Sequence, residues 1–147
     1  MRINIVAIGK LKEKFLIEAA KEYLKRMKTI ATIEIIEIAE CKTIEDEGEK
    51  ILNRLNKNSW ICLLDVFGEN ISSEQFAEKF SKLTLNGQSE FTFIIGGAFG
   101  VSENLRKIAN FKLSLSKMTF THQMTRIILL EQIYRAFKIN RGEPYHW

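Results

Sequence analysis

Residues 91–100 read Phe-Thr-Phe-Ile-Ile-Gly-Gly-Ala-Phe-Gly, an uncharged strand-like run that breaks into a glycine-rich turn, with Ser102 placed to open a helix. Three glycines, at 96, 97 and 100, mark a place where the main chain comes close to something, because a residue without Cβ accepts φ > 0 and tight backbone approach. In an α/β chain, a turn at the carboxyl end of a strand is the usual position of a ligand crevice. Taken alone, the fragment reads equally well as an ordinary strand-to-helix corner.

Working outward, the same alternation of apolar runs and helical stretches recurs along the chain. Strands are expected at 2–8, 32–38, 60–67, 91–95 and 111–115. Helices are expected at 12–28, from Thr43 to about Asn56, from Ser72 to about Leu83, at 102–109 and from about His122 to Ile139. In the first helix Phe15, Ala19, Tyr23 and Met27 recur at spacing four and form its expected apolar stripe. Thr43 precedes Glu45, Asp46 and Glu47, whose charges suit the helix dipole, and Ser72 with Gln75 has capping-box spacing. Gly68-Glu69-Asn70 reads as a turn. The resulting βα alternation predicts an α/β fold, a mainly parallel sheet with helices on both faces, in a single domain over residues 1–147.

Composition narrows the function classes. With 46% hydrophobic and 27% charged residues, the chain has the make-up of an ordinary globular protein with a real core. Its start alternates too strongly for a secretory signal, and no stretch approaches the ~20 apolar residues of a membrane span, so a cytoplasmic location is expected. Cys41 and Cys62 lack CxxC spacing and read as reduced thiols, and His122 and His146 lack metal-ligand spacing, so no metal is expected. The net charge of +4 is unevenly placed. From Leu105 to Trp147 eight lysines and arginines face two glutamates, a surplus of +6. That asymmetry suits an anionic partner, nucleic acid first, and equally suits solvated helix faces.

The last helix carries more than its apolar count. Leu129, Leu130, Ile133, Ala136 and Phe137 share one arc, with Glu131, Gln132, Arg135 and Lys138 opposite. His122 and Arg126 project from the apolar arc, where an unpaired charge is costly. Ile128 sits among polar residues, which suggests a second surface to cover. Glu131 and Arg135, at i and i+4, suit a surface ion pair. Before this helix, residues 113–122 (Leu-Ser-Leu-Ser-Lys-Met-Thr-Phe-Thr-His) offer hydroxyls, backbone amides and apolar side chains. Neighbouring strand ends would bring Leu64-Asp65, the glycine turn and this loop to one crevice. No Walker lysine and no nucleophile–base spacing is visible.

The runs IIGGAFGVS and LSLSKMTFTHQMTRIILLEQIYRAFKINRGEPYHW, with RINIVAIGKLK and the LLD strand, resemble the RlmH group of large-subunit ribosomal RNA methyltransferases, a branch of the SPOUT class. The resemblance covers the whole chain. It implies a homodimer with a C-terminal trefoil knot, using S-adenosylmethionine to methylate N3 of a pseudouridine in large-subunit ribosomal RNA or the assembled ribosome. By motif, the cofactor site falls on Leu64, Gly96, Leu115, Ser116, Lys117, Met118, Thr119 and Phe120. Tyr145 and His146 match the family's substrate-side tail, where His146 is placed to take the N3 proton. Arg126, Arg135, Arg141 and Trp147 are the expected RNA contacts, Trp147 as a stacking ring.

Three departures stand out. Ala98-Phe99 replaces a polar pair after the two glycines, Thr121 stands where a proline is common, and Trp147 replaces a basic last residue. The rival readings are a non-catalytic RNA-binding module of the ribosome and a nucleotide-binding regulatory domain whose glycine turn holds phosphate.

Overall fold

In the computed structural model, which describes residues 1–145, five strands form one parallel sheet. They are β1 (Arg2–Ile8), β2 (Thr32–Ile38), β3 (Trp60–Asn70), β4 (Glu90–Ile95) and β5 (Phe111–Ser114), in spatial order β2-β1-β4-β3-β5. The helices between and after them are α1 (Lys14–Met27), α2 (Ile44–Leu52), α3 (Ser73–Leu85), α4 (Glu103–Ile108) and α5 (His122–Asn140). The central strands β1 and β4 are flanked on both sides, and all of β4 after Glu90 is buried, as an apolar run in a covered parallel sheet should be.

Period-two alternation divides the interior into two cores. Ile3, Ile5 and Ala7 of β1, with Phe91, Phe93 and Ile95 of β4, face α1, α3 and α5. Val6, Ile8 and Ile94 face the other way, toward Ile51 of α2 and Leu105 of α4. In the larger core Phe80 of α3 joins three elements: its ring centroid lies 4.9 Å from Phe91, 6.0 Å from Phe93 and 6.1 Å from Phe137 of α5. Helix α5 packs between α1 and α3, which explains apolar residues on more than one side of it. Ile128 is half-buried beside the start of α3, in a small cavity shared with Phe76 and Gln132.

Three expectations change. The α1 stripe is rotated: Leu16, Ala20 and Met27 are buried, while Phe15 is 67% exposed. Helix α1 also begins at Lys14, later than expected, and the N–H groups of Leu11 and Lys12 donate instead to the side chains of Glu37 and Gln123. The expected turn at 68–70 instead belongs to β3, which leaves its ladder with β5 after Leu64 and rejoins it at Glu69. Gly68 makes that return possible, since a Cβ there would lie 2.6 Å from the Lys112 carbonyl. Residues 65–68 therefore project as an excursion at the sheet's carboxyl edge.

Strand order fixes where a site forms. The crossover after β1 runs outward to β2, and the crossover after β4 runs the opposite way to β5. Their divergence between adjacent β1 and β4 is a topological switch point, and beside it the carboxyl ends of β4, β3 and β5 open a crevice.

Candidate active site

That crevice is a cleft of about 1010 Å³ lined by the ends of β3, β4 and β5, the loop after β5 and the starts of α1 and α5. Its walls are mostly apolar, with Leu64, Ile95, Val101, Leu113 and Leu115 along them. Seven of the eight residues expected to hold a cofactor line it, namely Leu64, Gly96, Leu115, Ser116, Met118, Thr119 and Phe120. Lys117 is exposed and is not among the lining residues.

The glycine turn builds one wall from backbone. Gly97 and Gly100 pair as an antiparallel bridge, with Gly100 N–H donating to the Gly97 carbonyl at 3.1 Å. Gly100 has φ +90°, the left-handed region that favours glycine. A Cβ at Gly96 would lie 2.6 Å from Val101 Cγ1 and 2.8 Å from the Gly100 carbonyl, so the turn closes only around a bare α-carbon. Ala98-Phe99 is the tip of this turn, and Phe99 is 91% exposed. This accounts for the departure at that pair as far as geometry goes: no intramolecular polar contact is asked of the tip.

The opposite wall is the loop after β5. Ser114 Oγ donates to the Ser116 carbonyl at 3.0 Å, and Met118 N–H donates to Ser116 Oγ at 3.0 Å. Asn70, at the end of β3, donates to the Ser114 carbonyl at 3.1 Å. The serines are thus spent on shaping the loop, which leaves Met118 and Phe120 exposed over the cleft. Thr121 caps α5 by accepting from Met124 N–H at 3.2 Å, so this threonine serves as an N-cap where a proline is common.

Charge enters the cleft at few points. Asp65, Arg106, Glu13 and His122 line it. Asp65 accepts from Arg106 of α4 through one carboxylate oxygen and from Phe67 N–H at 3.1 Å through the other, and its side chain is only 5% exposed. The pairing of Asp65 with a residue 41 positions away has no local sequence signal. The same holds for Glu13 and Phe15, which reach the cleft because α1 starts late.

Arg126 has a different place from the one expected. It is fully buried, donating to Glu37 at 3.0 Å and to the Gly9 carbonyl at 3.2 Å, while its Nε has no partner. Burial pushes its pKa down, and the Glu37 carboxylate opposes that shift. Glu37 also accepts from Leu11 N–H at 2.9 Å, and Gln123 accepts from Lys12 N–H at 2.9 Å. These bonds hold residues 9–12 against the start of α5, which resolves the charge on its apolar arc: Arg126 has no exposed surface for a phosphate.

The far part of α5 is organised by aromatic rings. Tyr145 packs edge-on against Tyr134 at 4.8 Å, under the Arg135 guanidinium at 4.9 Å, and its hydroxyl donates to Glu131 at 3.3 Å. Burial, the hydrogen bond with Tyr23 and the Glu131 charge push its pKa up to about 12. Glu131 and Arg135 make the expected i, i+4 pair at 2.6 Å, more enclosed than a surface pair because Tyr145 lies over it. Within its own chain Tyr145 is not among the cleft-lining residues. Arg141 is half-exposed, near Glu143 at 3.7 Å. His146 and Trp147 lie outside the described residues.

Comparison with known proteins agrees with this geometry. A family model described as "Predicted SPOUT methyltransferase" matches residues 1–146. The ribosomal RNA large subunit methyltransferase H of Carboxydothermus hydrogenoformans is 49% identical over 158 aligned positions, covering 99% of each chain. The protein of the same name from Pelotomaculum thermopropionicum is 47% identical over 157 positions, covering 99% of this chain and 98% of the other. Among solved structures, a methylase family protein from Haemophilus influenzae superposes with a TM-score of 0.57 at 13% identity, covering 99% of this chain and 70% of that one, which shows a shared fold.

Proposed function

Because the chain belongs to the SPOUT methyltransferase family, we propose that it transfers a methyl group from S-adenosylmethionine to N3 of a pseudouridine in large-subunit ribosomal RNA, free or in the ribosome. The observation that carries this reading is the cleft: three segments distant in sequence, at Leu64, at Gly96 and along the loop after β5, converge on one apolar slot beside the switch point. The residues present fit the methyl donor. A turn that closes only around the bare Gly96 brings backbone to the slot, apolar walls suit an adenine ring, and Asp65 and His122 supply polar edges.

When bound, the donor supplies an electrophilic methyl group on a sulfonium. The protein's work is then positioning and proton removal. The glycine turn and the loop after β5 hold the two sides of the slot, and the Arg126 network fixes the start of α5 from which that loop hangs. Removal of the N3 proton falls to His146, whose ordinary pKa lies near neutral. Tyr145 stays protonated at neutral pH and serves as a hydrogen-bond donor and an anchor for the tail.

The working unit is a homodimer, with the tail of one protomer reaching the cleft of its partner. Phe15, Val66, Phe67, Phe99 and Met118 are each more than half exposed around the cleft mouth, an apolar rim that a second copy would cover. The trefoil knot of the SPOUT class belongs to the same reading, with α5 and its preceding loop threaded behind the glycine turn. Arg135 and Arg141, with Trp147, contribute to the RNA side. Among the described residues no helix is long and apolar enough to cross a membrane, and we place the enzyme in the cytoplasm.

Two measurements test the reading. Calorimetry is expected to give stoichiometric binding of S-adenosylhomocysteine; binding of RNA without it would favour the non-catalytic module. Deleting the gene is expected to remove one methyl group from a large-subunit ribosomal RNA pseudouridine, and persistence of that methyl would overturn the substrate.

A further inference from the structure

The charged groups at the cleft are few enough to examine singly. Asp65 stands at the end of β3 with a nearly buried carboxylate, and both of its oxygens are engaged, one by Arg106 and one by Phe67 N–H. Arg106 arrives from α4, on the opposite side of the sheet from α1, and both partners line the cleft. Its other acidic neighbour, Glu103, is 3.8 Å away and largely exposed, so Asp65 is the partner that fixes the guanidinium. The pair does two things. It ties the start of the 65–68 excursion to α4, and it sets opposite charges against each other in a slot walled mostly by apolar side chains.

We propose that the Asp65–Arg106 pair sets how strongly the cleft distinguishes the cationic methyl donor from its uncharged thioether product. This rests on the function proposed above. The donor carries a positive sulfonium that the reaction consumes, so a charge in the wall acts on S-adenosylmethionine and leaves S-adenosylhomocysteine almost untouched. With Arg106 in place the carboxylate is balanced, and product leaves a site that holds it nearly as well as donor. Without Arg106 the carboxylate faces the slot alone and favours the cation. Arg106 is therefore a positioning residue acting through Asp65.

The test is the ratio of dissociation constants for S-adenosylhomocysteine and S-adenosylmethionine, measured by calorimetry on the full chain, with thermal unfolding followed in parallel. Arg106→Met is expected to raise that ratio about five-fold, the size of effect one unit charge exerts across several ångströms in an open cleft at a dielectric close to that of water. Asp65→Asn is expected to lower it by a similar factor, and Arg106→Lys to restore the original ratio. Parallel weakening of both ligands in Arg106→Met and Asp65→Asn would overturn the proposal and leave the pair a purely structural clip. If Arg106→Met fails to fold, an unchanged ratio in Asp65→Asn overturns it equally. Failure of the unmodified protein to bind either ligand would instead overturn the proposed function.

Discussion

The two parts of α5 solve opposite problems. Toward its first turns, backbone and glycine build the cleft, and the side chains left over, Phe99, Met118 and Phe120, have little of this chain to pack against. Toward its last turns, side chains satisfy one another: Tyr134, Arg135 and Glu131 form a ring-and-charge cluster with Tyr145, which follows a turn at Gly142 (φ +65°). A monomer that buried apolar surface efficiently would not leave Phe67 at 88% and Phe99 at 91% exposure on one rim. The contrast teaches that the bare end is the end with something to hold, whereas the satisfied end is an anchor.

Breaking the cleft end should give the largest effects. Gly96→Trp is expected to abolish S-adenosylhomocysteine binding by calorimetry, because even a Cβ meets Val101 and the Gly100 carbonyl at under 3 Å. Because Val101 packs on the smaller core, thermal unfolding followed in parallel separates loss of the slot from loss of the fold. Arg126→Met removes one partner of a buried ion pair and is expected to cost about 3 kcal/mol in urea unfolding, the low end for such pairs because Glu37 keeps some solvent. A loss under 1 kcal/mol would show that residues 9–12 hold to α5 without it.

Phe99→Ser sharpens the comparison from the exposed side. With almost no intramolecular packing to lose, it should change monomer stability by less than about 0.5 kcal/mol while shifting the proposed dimer toward monomer in sedimentation. An unchanged balance would remove Phe99 from the interface.

The smallest effect belongs to the satisfied end. Tyr145 has a folded-state pKa of about 12 against an ordinary 10, so between those values the unfolded chain gives up its proton first. Stability is therefore retained up to about pH 10 and falls as pH rises toward 12. Tyr145→Phe is expected to flatten that alkaline slope and to leave the curve near neutrality almost unchanged. A slope identical in both proteins would assign it to other groups.

Much of the cleft is legible in the sequence. The order of elements, the glycine turn and the 115–120 loop all follow from local signals: apolar runs of strand length, capping residues, and glycines clustered where a strand ends. Three features were not legible. Phe15 belongs to a spacing-four stripe, yet it faces the cleft mouth because α1 starts at Lys14, and that start is set by bonds from Glu37 and Gln123. The 65–68 excursion depends on Gly68 meeting the backbone of Lys112 in another strand. The partners of Asp65 and Arg126 lie 41 and 89 positions away.

The strands, the helices, the caps at Thr43 and Ser72 and the family are written in neighbouring residues, through periodicity, capping spacing and motif order. Which charges are paired across the sheet ends, and which apolar side chains stay bare, follows from the folded arrangement instead. Those outcomes depend on the strand order β2-β1-β4-β3-β5, which brings the ends of non-adjacent segments within hydrogen-bonding distance. A carboxylate such as Asp65 takes its chemical character from the group that arrives beside it, and the arrival of Arg106 is a property of the folded sheet.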